Sequence, residues 1–179
     1  MKGVVASVVK EFSDFLETYE KDIFSFCLYL AINKNDAEDL YQDTVSAAIE
    51  SMGKIDAAKN PKSYMFSIAV GKWKNARRKA MRRDAIAPVA EAFDFGSIPG
   101  REDVQAAAEK GMLQSAIAGI LRRMDDKFRI PIILCYFDDR SVEEIARICK
   151  IPKGTVKSRL HKGRELMRRE LAGEGWCDV

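Results

Sequence analysis

The stretch from Ser141 to Leu171 constrains the fold of this chain most, because its pattern predicts two helices joined by a tight turn. Ser141 stands three residues before Glu144, which is the spacing of a capping box at a helix start. Pro152 suits the first turn of the second helix, where its missing N–H costs nothing. A helix held in this way across a second helix is suited to entering the major groove of DNA.

The second helix of this pair is predicted to be apolar on one side and polar on the other. Val156 and Leu160 should face inward, together with Leu166 and Met167. The side chains predicted to line the outer face are Lys153, Thr155, Lys157, Ser158, Arg159, His161 and Lys162. Cations of this kind bind phosphates, and the mixed polar groups can reach base edges. The alternative interpretation is an ordinary helical hairpin whose Lys- and Arg-rich side is simply solvated.

The charges of the 179 residues are unevenly distributed, although the formal net charge is only +3. The first 60 residues carry six lysines against eleven acidic residues. The stretch from Lys72 to Arg83 carries seven cations and no acid. Blocks of opposite sign indicate at least two different partner surfaces.

Several classes of protein are disfavoured by what the sequence lacks. The sequence contains no run of about 18 apolar residues, so no membrane span is predicted. The start of the chain does not match a signal peptide, and the cytoplasm is therefore the expected location. With one histidine there is little support for a zinc site, and no catalytic constellation or cofactor motif is found. Four cysteines show no paired spacing, and three of them are expected as buried thiols: Cys27, Cys135 and Cys149, with Cys177 in the tail.

The periodicity is helical almost throughout, which predicts an all-α fold of two small helical domains joined by a flexible acidic linker. The expected boundaries are 1–84 for the first domain, 85–108 for the linker, 109–174 for the second domain and 175–179 for a tail. Pro61 should begin a long helix to Arg83, and Pro131 should begin a nearly all-apolar helix to Phe137.

An acidic segment in the first domain predicts a helix that begins at Asn35 or Asp36 and turns residues such as Leu40 and Ile49 inward. The polar residues expected near its outer face are Asp36, Asp39, Gln42 and Asp43. Acids near a helix start are favoured by the helix dipole, so a merely solvated face is one interpretation. A metal site has less support, and a docking surface for a basic partner is the more specific hypothesis.

The predicted helix 61–83 interleaves aromatic residues with cations. Its candidate nucleic-acid contacts are Tyr64, Phe66, Trp73, Lys72, Lys74, Arg77 and Arg78. Cations hold phosphates, and aromatic faces can stack on unpaired bases. The alternative is a core helix with a solvated basic end. A second basic helix in another domain favours the nucleic-acid interpretation.

These blocks together resemble an extracytoplasmic-function (ECF, group IV) sigma factor of the sigma-70 family. The acidic segment Asp36 to Thr44 is similar to the region-two helix that docks on the clamp helices of the RNA polymerase β′ subunit. Pro61 to Arg83 resembles the helix that opens and reads the −10 element. Glu143 to Ala146 and Gly154 to Leu160 match the region-four helix-turn-helix that reads the −35 element. The resemblance covers almost the whole chain except the linker and tail.

The resemblance implies a transcription initiation factor that is not an enzyme and needs no metal or cofactor. Its partners would be core RNA polymerase (the β′ clamp helices and the β flap), promoter DNA and an anti-sigma factor that could hold it at the membrane without insertion. Polymerase contacts would fall on Asp36, Asp39, Gln42 and Asp43. The −10 contacts would be Lys54, Asn60, Tyr64, Lys72, Trp73, Lys74, Asn75, Arg77 and Arg78, and the −35 contacts the outer-face set from Lys153 to Lys162. Where many members have Asn–Leu–Ala–x–Asp, this chain departs, with Gly71-Lys72-Trp73-Lys74-Asn75.

Two rival functions are compatible with the helix pair alone. A stand-alone helix-turn-helix regulator would dimerise and bind a palindromic operator without polymerase. An RNA-binding or nuclease module is a second rival, and the lack of a catalytic cluster in the sequence argues against a nuclease.

Overall fold

The computed structural model describes residues 2–31, 33–51, 61–83 and 104–176, and these fall into two compact units, Met1–Ala90 and Glu91–Val179. Throughout these ranges the regular structure is α-helix, and no strand occurs among the described residues. The prediction of an all-α fold is therefore confirmed. Lys54, Asn60, Cys177 and most of the predicted linker lie outside the described residues.

The N-terminal unit contains three helices, α1 (Lys2–Leu30), α2 (Lys34–Glu50) and α3 (Pro61–Arg83), and each contacts the other two. The C-terminal half of α1 contributes buried side chains to the core, among them Ile23 and Leu30. Phe26 of α1 stacks on Phe66 of α3 with ring centroids 4.2 Å apart. Lys62 of α3 forms an ion pair with Asp22 at 2.7 Å, which secures the start of α3 to α1.

The start of α2 differs from the prediction, because Asn33 is the capping residue rather than Asn35 or Asp36. The Asn33 Oδ1 accepts a hydrogen bond from the Asp36 N–H at 2.8 Å, and Asn33 Nδ2 donates to the Asp36 carboxylate at 3.0 Å. A cap oxygen must lie two or three residues before the N–H that it satisfies, and Asn33 meets this requirement for Asp36. Asp36 therefore lies in the first turn, where the helix dipole favours its charge.

The inward face of α2 is narrower than the sequence pattern indicates. Ala37, Leu40 and Thr44 are buried, and Thr44 satisfies its hydroxyl by donating to the Leu40 carbonyl at 2.6 Å. Ile49, predicted to face inward, is 51% exposed. It follows the buried Ala48, and one residue rotates a helix by about 100°, which carries Ile49 away from the core.

The C-terminal unit contains α4 (Val104–Arg123), α5 (Asp126–Tyr136), α6 (Val142–Cys149) and α7 (Lys153–Gly173). The other three helices of the unit all contact α7. The buried side chains come from every helix and include Leu121, Ile133, Ile145 and Leu160. The start of α4 falls within 85–108, so the last residues of the predicted linker are helical.

The start of α5 corrects a second prediction, because Pro131 lies inside the helix instead of beginning it. Asp125 caps α5 by accepting a hydrogen bond from the Lys127 N–H at 3.1 Å. A proline inside a helix has no N–H for the carbonyl four residues earlier. Pro131 is nevertheless buried with its apolar neighbours, so packing favours a helix that local propensity would end there.

Helix α5 approaches α7 closely at Gly163. A Cβ placed on Gly163 would lie 2.7 Å from Ile132 Cγ1 and 3.0 Å from Ile132 Cδ1. Real side chains do not approach so closely, and the interior around this position is close-packed. The crossing of the two helices therefore requires a residue without a side chain at position 163.

We expect Gly163→Ala to destabilise the C-terminal unit. Overpacking against Ile132 costs about 1–3 kcal/mol, and it outweighs the gain of up to about 1 kcal/mol that alanine brings to a helix interior. Urea unfolding of the full chain measures the difference. Gly111→Ala is the matched control, because no atom lies within 4 Å of the added Cβ and the same helix propensity applies. An equal gain in stability from both substitutions would refute the close-crossing argument.

Candidate nucleic-acid interface

Helix α6 is fixed by hydrogen bonds at both of its ends, and the sequence predicts those at its start. The capping box is present, since Ser141 Oγ accepts from the Glu144 N–H at 3.2 Å and the Glu144 carboxylate accepts from the Ser141 N–H at 3.1 Å. At the other end Lys150 adopts the left-handed conformation with φ 55°. The Ile151 N–H then donates to the Ala146 carbonyl at 3.1 Å. Pro152 occupies the N-cap position of α7, one residue before the first turn in which it was predicted.

A short charged network attaches the start of α6 to the end of α5. Arg140 forms ion pairs with Asp138 and, at 3.0 Å, with Glu144. The hydrogen bond from the Ser141 backbone lowers the pKa of Glu144 most, and the bonds from Arg140 and the Ser141 hydroxyl lower it further. The capping carboxylate therefore stays ionised and keeps both of its neighbours in place.

The outer side of α7 carries the predicted −35 set, but its members differ in exposure. Lys153, Lys157, Ser158, His161 and Lys162 are exposed, whereas Thr155 and Arg159 are half-buried. Lys153 forms an ion pair with Glu143 of α6 at 2.8 Å, and its hydrogen bond lowers the pKa of that carboxyl. The pKa of Asp125, at the start of α5, is lowered mainly by hydrogen bonds from Lys127, and the charge of Arg159 adds to the effect.

The basic side of α7 extends further along the helix than the predicted set. Arg164, Arg168 and Arg169 are also exposed. Arg164 Nε donates to the Tyr136 hydroxyl oxygen at 2.7 Å, and this bond raises the pKa of the guanidinium. The guanidinium carbon also lies 5.7 Å from the centre of the Tyr136 ring. Continued helical spacing of cations past Lys162 is the sequence signal that could have found these residues.

The aromatic residues of α3 serve the core more than the surface. Phe66 is buried and Trp73 is 5% exposed, so neither ring offers an open face for stacking, and the contact of Trp73 with DNA stays a prediction. Trp73 lies one turn after the buried Ala69 and so shares its face. The half-buried Tyr64 donates its hydroxyl to Ser51 Oγ at 2.9 Å, linking α3 to the end of α2.

The polar side of α3 brings together five of the predicted −10 residues. Asn75, Arg77 and Arg78 are exposed, and Lys72 and Lys74 are half-buried. Arg77 lies over the Trp73 ring with its guanidinium carbon 5.9 Å from the ring centre. Arg82 is exposed on the following turn and extends the cationic surface beyond the predicted residues.

The acidic face of α2 is solvent-exposed as predicted. Asp36, Asp39, Gln42 and Asp43 are all exposed, and Glu50 continues the acidic row toward the end of the helix. The exposed Ile49 lies two turns after Gln42, so it adds an apolar side chain beside the acidic row. Its seven-residue distance from Gln42 is the sequence signal that could have placed it on this face.

The described part of the chain contains no candidate metal site and no helix that could span a membrane, and its Cys27 thiol is buried. No group of three or more His, Cys, Asp and Glu side chains is placed to hold a metal ion within it. None of its helices is both long and apolar enough to cross a bilayer. Burial raises the pKa of Cys27 to about 12, so this thiol acts as a packing group. Cys149 is also buried, whereas Cys135, expected to be buried, is half-buried.

The helix-turn-helix and the acidic helix coincide with two matches to a known family. A family model described as Sigma-70 region 2 matches residues 15–83, and one described as Sigma-70, region 4 matches residues 114–167. Together they span more than half of the chain. The chain belongs to the sigma-70 family. Several of its relatives are named ECF sigma factors, which supports membership of this sigma factor in the ECF group.

Named relatives match this sigma factor along most of its length. ECF RNA polymerase sigma factor SigW of Bacillus subtilis is 28% identical over 170 residues, covering 89% of this chain and 88% of the relative. ECF RNA polymerase sigma factor EcfG of Rhodopseudomonas palustris is 26% identical over 157 residues, covering 84% and 80%. These coverages include both units of the chain.

Two solved structures support the fold. The sigma factor RpoE of Bartonella quintana, crystallised with the anti-sigma factor NepR, matches with a TM-score of 0.76 and 24% identity, covering 91% of this chain and 98% of that one. CnrH, solved with the cytosolic domain of CnrY, matches with a TM-score of 0.63 and 18% identity, covering 92% and 89%. At these identities the likeness establishes the fold.

We expect the capping box at α6 to make the stability of the C-terminal unit depend on pH. The folded-state pKa of Glu144 lies below its unfolded value, so its contribution is complete above the unfolded pKa, about 4.3 for a free Glu. The contribution is lost as the pH falls through the folded pKa. Urea unfolding at pH 7 should show Glu144→Gln to be less stable than the parent, and the difference should be smaller at pH 3, below the unfolded pKa.

Ser141→Ala provides the contrast to Glu144→Gln. It removes the hydroxyl cap and leaves the carboxyl group in place, so most of its deficit of about 1 kcal/mol should persist at pH 3. Only the part that comes from the hydroxyl's bond to the Glu144 carboxylate should be lost. A Glu144→Gln deficit that is the same at both pH values would contradict the proposed role of the carboxylate charge.

Proposed function

We propose that this sigma factor delivers core RNA polymerase to promoters through three surfaces: the acidic face of α2, the polar side of α3 and the outer side of α7. The observation that carries the proposal is the opposite charge of these faces within one chain of the sigma-70 family. Sigma factors are generally not enzymes, and the polymerase supplies the chemistry of RNA synthesis. The chain contributes binding energy and promoter specificity.

The acidic face of α2 is suited to a helical partner that carries positive charge. Asp36, Asp39 and Asp43 are separated by three and four residues, so they form one row along the helix. Exposed charges steer association and fix the register of a complex more than they add affinity, while an apolar residue such as Ile49 adds buried area. The β′ clamp helices are the partner that the family resemblance indicates, with the β flap as the partner of the C-terminal unit.

The outer side of α7 supports contact with a duplex at the −35 element. The exposed side chains near its start, from Lys153 to Lys162, are those that a helix-turn-helix presents to the major groove. Lysines and arginines there bind phosphates, and Ser158 and Arg159 are of the types that read base edges. The longer basic side, through Arg169, adds affinity that depends on salt.

The polar side of α3 supports contact with the −10 element. Its cations follow a helix whose aromatic residues are largely buried, so phosphate binding and amide hydrogen bonds replace the expected stacking on Trp73. Lys54 and Asn60 complete this proposed set by resemblance, in the segment that captures an unpaired base. Each DNA contact alone is weak, and attachment of both units to one polymerase raises the effective concentration of each.

We also propose that an anti-sigma factor regulates this chain in the cytoplasm. Both solved structures named above contain an anti-sigma factor or part of a partner protein bound to the sigma factor. Here the partner would cover the polymerase and DNA faces until it is released. Co-purification of the chain with such a partner, and loss of transcription on its addition, would test the idea.

In-vitro transcription with core enzyme over a randomised promoter library is the decisive experiment. The chain should confer transcription on a set of sequences that share a −35 and a −10 element. Binding of duplex DNA by the chain alone should be weak. Strong footprints at a palindrome without polymerase would instead support a stand-alone regulator.

We expect Asp39→Ala with Gln42→Ala to weaken assembly with core polymerase by roughly 10-fold, because the two residues lie in the middle of the proposed docking face and central interface residues are those whose truncation costs more than about 1 kcal/mol. Fluorescence anisotropy of labelled protein titrated with core enzyme measures the change. Glu174→Ala with Gln114→Ala is the control, since it removes an exposed acid and an exposed amide from the C-terminal unit. Unchanged affinity of the α2 variant would exclude this docking face.

We expect Arg159→Ala to reduce the discrimination between bases at one position of the −35 element. If the guanidinium reads a base, the lost discrimination amounts to about 1–3 kcal/mol. Transcription from promoters carrying each base at each −35 position measures the effect. Because the charge of Arg159 also acts on Asp125 at the start of α5, thermal unfolding of the variant checks that the fold is retained. Arg169→Ala, near the end of α7, should reduce all promoters alike. An equal loss on every −35 variant would reject a base-reading role for Arg159.

A further inference from the structure

Asn75 and Arg78 lie close together on the exposed side of α3 and are joined by a hydrogen bond. Arg78 Nη2 donates to Asn75 Oδ1, and Arg78 Nε donates to the Lys74 carbonyl at 3.4 Å. A guanidinium has donors only, so the amide atom that meets it must be the oxygen. The orientation of the Asn75 amide is therefore fixed, and its Nδ2 amino group is left to donate elsewhere.

The cation beside this amide determines which groups can approach it. An incoming group meets the N–H donors of Asn75 and the positive charge of Arg78, so it must present an acceptor. Asparagine commonly reads adenine by accepting from N6 while donating to N7. Here an amino group that approaches Asn75 Oδ1 would meet the Arg78 guanidinium. On the edge that lines the major groove, guanine presents two acceptors, O6 and N7, and thymine presents O4, whereas adenine and cytosine carry an amino group there, so guanine and thymine suit the pair.

Gly71 leaves room for such a base one turn before Asn75. A Cβ placed on Gly71 would have no atom within 4 Å, and the position is exposed in the middle of α3. Glycine in a helix interior is less favourable than alanine, and no neighbour requires it here. The open space allows a sugar or base to reach the helix backbone beside the Asn75 amide.

We propose that Asn75 is a specificity-determining residue of the −10 interaction and that Arg78 positions it. Asn75 Nδ2 donates to the major-groove edge of one base of the −10 element, guanine or thymine, which passes over Gly71. The inference rests on the proposed function as a sigma factor. Asn75 stands at the position of the aspartate in the Asn–Leu–Ala–x–Asp pattern. An ionised aspartate only accepts hydrogen bonds, whereas the Asn75 amide can donate one, so this departure should change the base that is preferred.

The test uses holoenzyme assembled from core polymerase and the full chain, on promoters carrying each base at each −10 position. The parent should prefer guanine or thymine at one position, and Asn75→Ala should reduce that preference by roughly 10-fold. Asn75→Asp should shift the preference toward adenine or cytosine, whose amino groups donate. Arg78→Ala should lose the same preference as Asn75→Ala, and the double variant should lose no more than either one, because the two residues act as a unit.

A fourth variant tests the approach route. Gly71→Leu should lower transcription at least several-fold although its thermal stability is equal to or higher than that of the parent and its affinity for core enzyme is unchanged. Gln114→Ala is the matched control for Asn75→Ala, since it removes an exposed helical amide from the other unit and should leave every preference unchanged.

The outcomes separate this inference from the proposed function. A parent protein that confers no promoter-dependent transcription on core enzyme would overturn the proposed function itself. A functional parent whose Asn75→Ala variant loses activity equally on all bases would show a phosphate contact and overturn the inference alone. An unchanged base preference, or full activity of Gly71→Leu, would also overturn it.

Discussion

The packing of α7 is the constraint on which the C-terminal unit depends, because this one helix supplies both the core and the proposed DNA-reading surface. Helices α4, α5 and α6 all contact it, and Gly163 allows α5 to approach closely. Val156 and Leu160 are buried on the same side. The cations are therefore confined to the remaining surface, and the core holds that surface rigid for contact with DNA.

In the N-terminal unit, too, one side of α2 and of α3 packs in the core and the opposite side is exposed. In α3 the rings of Phe66 and Trp73 enter the core, and the amide of Asn75 and the charge of Arg78 remain outside. In α2 small and apolar residues pack inward while the acidic row remains exposed. Because folding and recognition use opposite sides of each helix, substitutions on the outer sides can alter binding without loss of the fold.

Local patterns predicted well those features that local interactions control. The capping box at Ser141 and Glu144 follows from a three-residue spacing, and Pro61 begins α3 as its position indicates. Predictions failed where neighbouring residues offered equivalent local choices. Asn33 rather than Asn35 caps α2, and Pro131 lies within α5 because Asp125 supplies an earlier cap and burial favours continuation.

The sequence by itself determined the helical class, the separation of acidic and basic segments, and the family. These properties depend on residue types and on their spacing along the chain. Only the tertiary structure decided that Trp73 is buried, that Ile49 is exposed, that position 163 admits no side chain and that Asn75 turns its oxygen to Arg78. Periodicity gives the face on which a side chain lies, whereas burial and orientation depend on neighbouring atoms, many of them supplied by distant segments.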